Sequence, residues 1–254
     1  MYLHVSKVLN MKNHPSLLFT CFVSLSLLAC KADLPAQNDE APIPSPVATV
    51  DTLRYLALGD SYTIGESVAP FERWPVQLAD AINQLDTSLH IGDVNIIAQT
   101  GWTTGNLINA LALPTNQQFE ADVVSLLIGV NNQYQGLDTA QYRAQLSELI
   151  QYALGLVNGQ THRIFIVSIP DYGYTPFGQS NQTEISSELT VFNQICLEEA
   201  LIADVPHYDI TAISQEWPNT PGLVASDGLH PSGVQYARWV ESFLPQVVAQ
   251  LLSH

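Results

Sequence analysis

A serine, an aspartate and a histidine in this chain have the types and the order that nucleophilic acyl transfer requires. Ser61 stands in Gly59-Asp60-Ser61-Tyr62-Thr63-Ile64-Gly65, directly after an apolar run. A serine hydroxyl is a weak nucleophile until a neighbouring base takes its proton. Histidine suits that task near neutrality, and a carboxylate on its other ring nitrogen sets the tautomer and the orientation. The segment Asp227-Gly228-Leu229-His230-Pro231 carries both groups on one short loop. Gly228 permits a tight backbone there, and Pro231 can open a helix rigidly. Ser61, Asp227 and His230 are therefore the candidate catalytic residues.

Two further polar features resemble supporting groups. Gly101 lies in Gln99-Thr100-Gly101-Trp102, and Asn131 in Gly129-Val130-Asn131-Asn132. Like Ser61, each follows an apolar run. Those runs are Leu53–Leu58, Val94–Ala98, Asp122–Ile128 and Arg163–Ser168, with a weaker one at Pro206–Ile210. Helical patterns near 74–86, 104–112, 139–157, 183–203 and 233–252 separate or follow them. Near-continuous apolar strands alternating with helices predict an α/β fold of three layers, α/β/α, on a mainly parallel five-stranded sheet. Strand C-terminal ends then share one edge, which is where open parallel sheets form their sites.

Taken singly, each feature has a plainer reading. Ser61 suits a helix cap, Gly101 a turn, Asn131 a cap, and Asp227 with His230 a surface turn. Their order and placement together carry the weight. On Gly59-Asp60-Ser61 with Gly65, on Asp227-x-x-His230-Pro231, and on the placement of Gly101 and Asn131, the chain resembles the SGNH, or GDSL-type, serine esterases and lipases. The resemblance runs from about Leu53 to the C-terminus and implies that family's flavodoxin-like fold. It also implies an oxyanion hole made of the Ser61 and Gly101 backbone N–H groups and the Asn131 amide. One position departs: the family usually has Gly-x-Asn-Asp, where this chain has Asn132 in place of the Asp. Asp60 is expected to support its loop and to transfer no proton.

Rival readings fit less well. An α/β-hydrolase elbow is Gly-x-Ser-x-Gly, and Thr63 stands where the second Gly belongs. A metal-dependent phosphoesterase using Asp60, Asp227 and His230 would need ligands that no HxH, HExxH or CxxC cluster supplies. A lipoprotein that only binds lipid or glycan has no need of the Ser-Asp-His set. The formal net charge of −16, with eight Lys and Arg in all, leaves no basic stripe for nucleic acid. No metal and no cofactor is expected.

Lys7 and Lys12 precede the apolar run Leu17–Ala29, which ends at Cys30. A basic start and a short apolar stretch predict an export signal over 1–29, and Leu27-Leu28-Ala29-Cys30 resembles a lipobox with Cys30 lipidated. The Pro-bearing stretch 30–52 reads as a tether, and 53–254 as the hydrolase domain. This predicts an exported protein of the bacterial cell envelope, held to a membrane through Cys30, with secretion as the alternative. Cys196, in an apolar helical pattern, is expected to be a buried thiol. A small ester is the expected substrate, with a short acyl chain ahead of a lysophospholipid or an acetylated glycan. Trp102, Tyr134, Tyr172 and Tyr174 are candidate substrate-binding residues, and Phe177 sits in the same Gly- and Pro-rich loop as the last two.

Overall fold

The computed structural model describes residues 51–85 and 87–253. Cys30, the export signal and all of the tether before Asp51 lie outside the described residues. Strands β1 (Asp51–Gly59), β2 (Leu89–Ala98), β3 (Val123–Leu127), β4 (Ile164–Val167) and β5 (His207–Tyr208) form one sheet. Their order is β2-β1-β3-β4-β5, and every pairing is parallel. Strands β3 and β4 are buried along their whole length, which is why they read as unbroken apolar runs. Edge strand β2 begins at Leu89, well before Val94, because its first half alternates buried and exposed positions and carries little apolar signal. Strand β1 likewise begins at Asp51, inside the stretch read as tether.

The helices are α1 (Ser61–Ile64), α2 (Trp74–Asn83), α3 (Thr104–Leu111), α4 (Val130–Tyr134), α5 (Thr139–Leu156), α6 (Gln182–Ile202), α7 (Thr211–Ser214) and α8 (Gly233–Leu252). The five longer ones match the sequence periodicity closely. Helices α1, α4 and α7 are too short for an apolar repeat to announce them. One helical layer pairs α2 with α8. Trp74 is fully buried there, edge-on to Phe165 of β4 at 6.4 Å and to Phe243 of α8 at 6.2 Å. The other layer sets α5 against α3 and α6, with the tilted rings of Tyr142 and Phe192 4.7 Å apart between centroids. The three-layer α/β/α architecture on a parallel sheet is thus as the sequence predicted.

Register aligns the ends of the central strands. Gly59 pairs with both Ala98 and Leu127, so β1, β2 and β3 finish level. The chain passes outward from β1 to β2 and then returns to β3 on the other side of β1. That reversal opens a crevice at the carboxyl ends of β1 and β3.

Candidate active site

Ser61 is the first residue of α1 and is largely buried. The preceding Asp60 caps this helix, its Oδ1 accepting from the Tyr62 N–H at 3.0 Å. Gly59 has no alternative at its position. A Cβ there would lie 2.1 Å from Thr63 Oγ1 and 2.4 Å from the Leu127 carbonyl oxygen. The missing side chain lets α1 fold back tightly onto the sheet, which presents Ser61 at the strand edge. Asp60 itself is fully buried, and its Oδ2 has no hydrogen-bond partner. Burial pushes its carboxyl up to about 7, against the hydrogen bond from the Tyr62 backbone.

The base loop is held by the aspartate. His230 Nδ1 lies 2.6 Å from Asp227 Oδ2, while Asp227 Oδ1 accepts from the backbone N–H groups of Leu229 at 2.9 Å and His230 at 3.0 Å. The same Oδ2 accepts from the Ser67 hydroxyl at 2.6 Å. Partial burial opposes ionisation of Asp227, but these donors win and hold its carboxyl well below the usual carboxylate range. The imidazole is thereby pinned through Nδ1, leaving Nε2 for a reacting group. Tyr62 packs edge-on against the ring at 5.8 Å. Gly228 adopts φ +77, and its carbonyl accepts from the Phe177 N–H at 3.0 Å.

Gly101 follows β2 with φ +85, a conformation that L side chains resist, and space for a Cβ lies open beside it. Asn131 sits in α4, after β3, and its Nδ2 donates to the Trp102 carbonyl at 2.9 Å. That bond leaves the second N–H of the amide free of this contact. Asn132, where the departure from the family pattern lies, is fully buried. Its Oδ1 accepts from the Thr104 N–H at 3.0 Å, and its Nδ2 donates to Thr104 Oγ1 at 2.7 Å. The amide therefore ties α4 to the start of α3.

These pieces converge on one cleft of about 270 Å³, lined by Ser61, Gly101, Asn131 and His230 together with Tyr134, Tyr172, Phe177 and Leu229. Of the four aromatic residues proposed from sequence, Tyr134 and Tyr172 line it, whereas Trp102 and Tyr174 do not. Trp102 packs its partly buried ring against the core and reaches the site only through its carbonyl. Phe177 takes the rim position instead, and its ring lies 6.2 Å from Tyr134 and 6.3 Å from Tyr172. A more voluminous open groove of about 800 Å³ runs between α5 and α6, but none of the candidate site residues lines it. Among the described residues, no group of three or more His, Cys, Asp and Glu side chains is placed to hold a metal ion. Cys196 is buried, and that burial pushes its thiol up to about 12.

Two contacts were beyond sequence reasoning. Ser67 and Glu66 lie in the turn after α1, and neither belongs to a motif. Ser67 reaches Asp227, as described, and Glu66 Oε2 accepts from the Thr100 hydroxyl at 2.5 Å, beside Gly101. Only a partner distant in sequence marks either one.

Comparison with known proteins bears on the family and the fold. The family model described as GDSL-like Lipase/Acylhydrolase matches residues 57–238. No curated protein matches the chain significantly by sequence. Among solved structures, the fold is similar to a psychrotrophic esterase, EstA, from Pseudoalteromonas sp., inhibited by monoethylphosphonate. That likeness has a TM-score of 0.59 at 15% identity, covering 79% of this chain and 99% of that one. A lipase/acylhydrolase from Enterococcus faecalis aligns with TM-score 0.58 at 21% identity, covering 78% and 96%. An acetylxylan esterase from Geobacillus stearothermophilus, Axe2, aligns with TM-score 0.55 at 20% identity, also covering 78% and 96%.

Proposed function

Since the chain belongs to the GDSL-like lipase/acylhydrolase family, whose members hydrolyse esters, we propose that it cleaves short-chain carboxylic esters through a Ser61 acyl-enzyme. The observation that carries this reading is the convergence of Ser61, Gly101, Asn131 and His230 on one cleft, with His230 pinned by Asp227. In the first half-reaction, His230 Nε2 takes the Ser61 proton as Oγ attacks the ester carbonyl. The carbonyl oxygen gains charge and is held by the N–H groups of Ser61 and Gly101 and by the Asn131 amide. Removing one such donor typically costs about 3–4 kcal/mol of transition-state stabilisation. His230 then protonates the departing alkoxide, and the same cycle with water releases the acid. Asp227 stays ionised throughout and stabilises the imidazolium.

The modest cleft volume supports a small acyl group. The rim formed by Tyr134 and Phe177, both well exposed, favours a second reading in which a sugar ring stacks there and an acetyl group is removed from a glycan. Anchoring at Cys30 in the cell envelope would suit either substrate and remains part of the proposal.

A graded series of p-nitrophenyl acyl esters tests the reading. Wild-type protein is expected to prefer short chains, and Ser61→Ala is expected to lose about a thousandfold or more in kcat. A p-nitrophenyl alkylphosphonate should phosphonylate Ser61 with release of p-nitrophenolate, so that the peptide bearing Ser61 gains the mass of the phosphonyl group. Turnover that survives in Ser61→Ala would overturn the assignment.

A further inference from the structure

We propose that Ser67 is a positioning residue for the candidate base pair, its hydroxyl orienting the Asp227 carboxylate that in turn aligns His230. This inference rests on the Ser61 reading above. Ser67 adopts φ +64, and the other non-glycine residues with positive φ among those described are Asn158 and Asp204. Asn and Asp tolerate the left-handed region because their short polar side chains bond locally, while serine has no such preference. Ser67 is thus held in a conformation its backbone resists, and its side chain is spent on a partner 160 positions away.

That partner is the atom on which His230 depends. Asp227 Oδ2 takes the Ser67 hydroxyl and His230 Nδ1, both at 2.6 Å, whereas Oδ1 takes two backbone N–H groups of its own loop. Ser67 is therefore the donor among these four that comes from outside the base loop. It comes from the turn that ends the nucleophile's helix, after Gly65 N–H has closed that helix onto the Ser61 carbonyl at 3.0 Å. The neighbouring Glu66 carboxylate holds Thr100, next to Gly101. One short turn thus links the segment bearing Ser61 to the base loop and to the Gly101 loop. Without the Ser67 hydroxyl, the carboxylate keeps its loop bonds but gains freedom to twist, and the imidazole plane turns with it.

Two variants separate positioning from simple structural support. Ser67→Ala removes the hydroxyl and keeps the strain, while Ser67→Gly removes both. Kinetics on an ester that wild type turns over, followed across pH, would be read beside melting temperatures. In both variants kcat is expected to fall about tenfold with KM within about twofold, as for loss of a hydrogen bond to a charged group felt only in the transition state. With one donor fewer, the carboxylate attracts the imidazolium proton more strongly, so the acid limb of the kcat/KM profile moves to higher pH. The glycine variant should nevertheless melt above the alanine variant. Should kcat recover in step with melting temperature in Ser67→Gly, or stay near wild type with an unmoved acid limb in both, the role is refuted. Ser61→Ala in the same assay keeps the two ideas apart. If it is inert while the Ser67 variants behave as wild type, only the positioning role is lost; if it still turns over, the serine reading fails and the Ser67 role with it.

Discussion

Asp60 and Asp227 show how differently one residue type behaves in two surroundings, one beside the nucleophile and one beside the base. Asp227 is partly open to solvent and surrounded by donors, and it stays charged. Asp60 is fully buried with an unpartnered Oδ2, and its carboxyl is raised from the ordinary aspartate range to about 7. Between those two values the folded chain therefore holds a proton that the unfolded chain has released. Stability from this group is full below the ordinary aspartate range and is lost as pH rises towards 7. Asp60→Asn retains an oxygen to cap α1, since Asn is as good a cap as Asp. In thermal unfolding, the Asp60→Asn variant is expected to melt above wild type at pH 8 and close to it at pH 4. A constant difference across that range would mean that Asp60 does not titrate in the folded state. The sequence singled out Asp60 as loop support, which its cap to Tyr62 matches; its unpartnered oxygen depends on what packs over it.

At the scale of elements, the junction from β3 into α4 carries the one departure from the family pattern. Asn132 and Thr104 share two bonds, and the Thr104 hydroxyl donates onward to Gln145 Oε1 at 2.6 Å. This hydroxyl has one proton, already given to Gln145, so its remaining partner must be a donor. The amide of Asn132 is such a donor, and an ionised carboxylate is not. Asn132→Asp is accordingly expected to destabilise the fold by about 1–3 kcal/mol above neutral pH, the usual cost of a broken buried hydrogen bond. The loss should shrink in acid, where a protonated carboxyl can donate again; urea unfolding at two pH values would measure it. An equal stability at both would show that the network rearranges freely. The five long helices and the central strands were legible in sequence because each buries a continuous face. The short α4 was not, since five residues hold no repeat, although it carries both Asn131 and Tyr134.

For the whole molecule, the sheet gathers the site. Parallel strands that end level place Ser61, Gly101 and Asn131 on one edge, and the loop before α8 brings His230 to the same cleft. The loop after β4 forms the far wall, and its Phe177 is bonded through the backbone to Gly228 of the base loop. Tyr134 stands at the mouth, 60% exposed and 6.4 Å from Tyr172. Tyr134→Ala is expected to raise KM for an aryl-acyl ester by about 3–10-fold, the usual worth of an aromatic contact, with kcat unchanged. KM for the acetyl ester should hardly move. Equal losses on both esters would indicate that Tyr134 supports the cleft without touching the substrate.

The sequence by itself determined the three layers, where the strands finish at their carboxyl ends, and the pairing of Asp227 with His230. Those features are local: apolar periodicity shows burial within one element, and a separation of three residues keeps two side chains within a turn. Tertiary structure alone decided that Tyr134, Tyr172 and Phe177 line the cleft while Trp102 and Tyr174 do not, because the side of a loop that faces a cleft depends on what packs behind it. It alone brought the Ser67 hydroxyl to Asp227 and left Asp60 short of a partner. Such contacts join positions far apart in the chain, and no spacing within either segment encodes them.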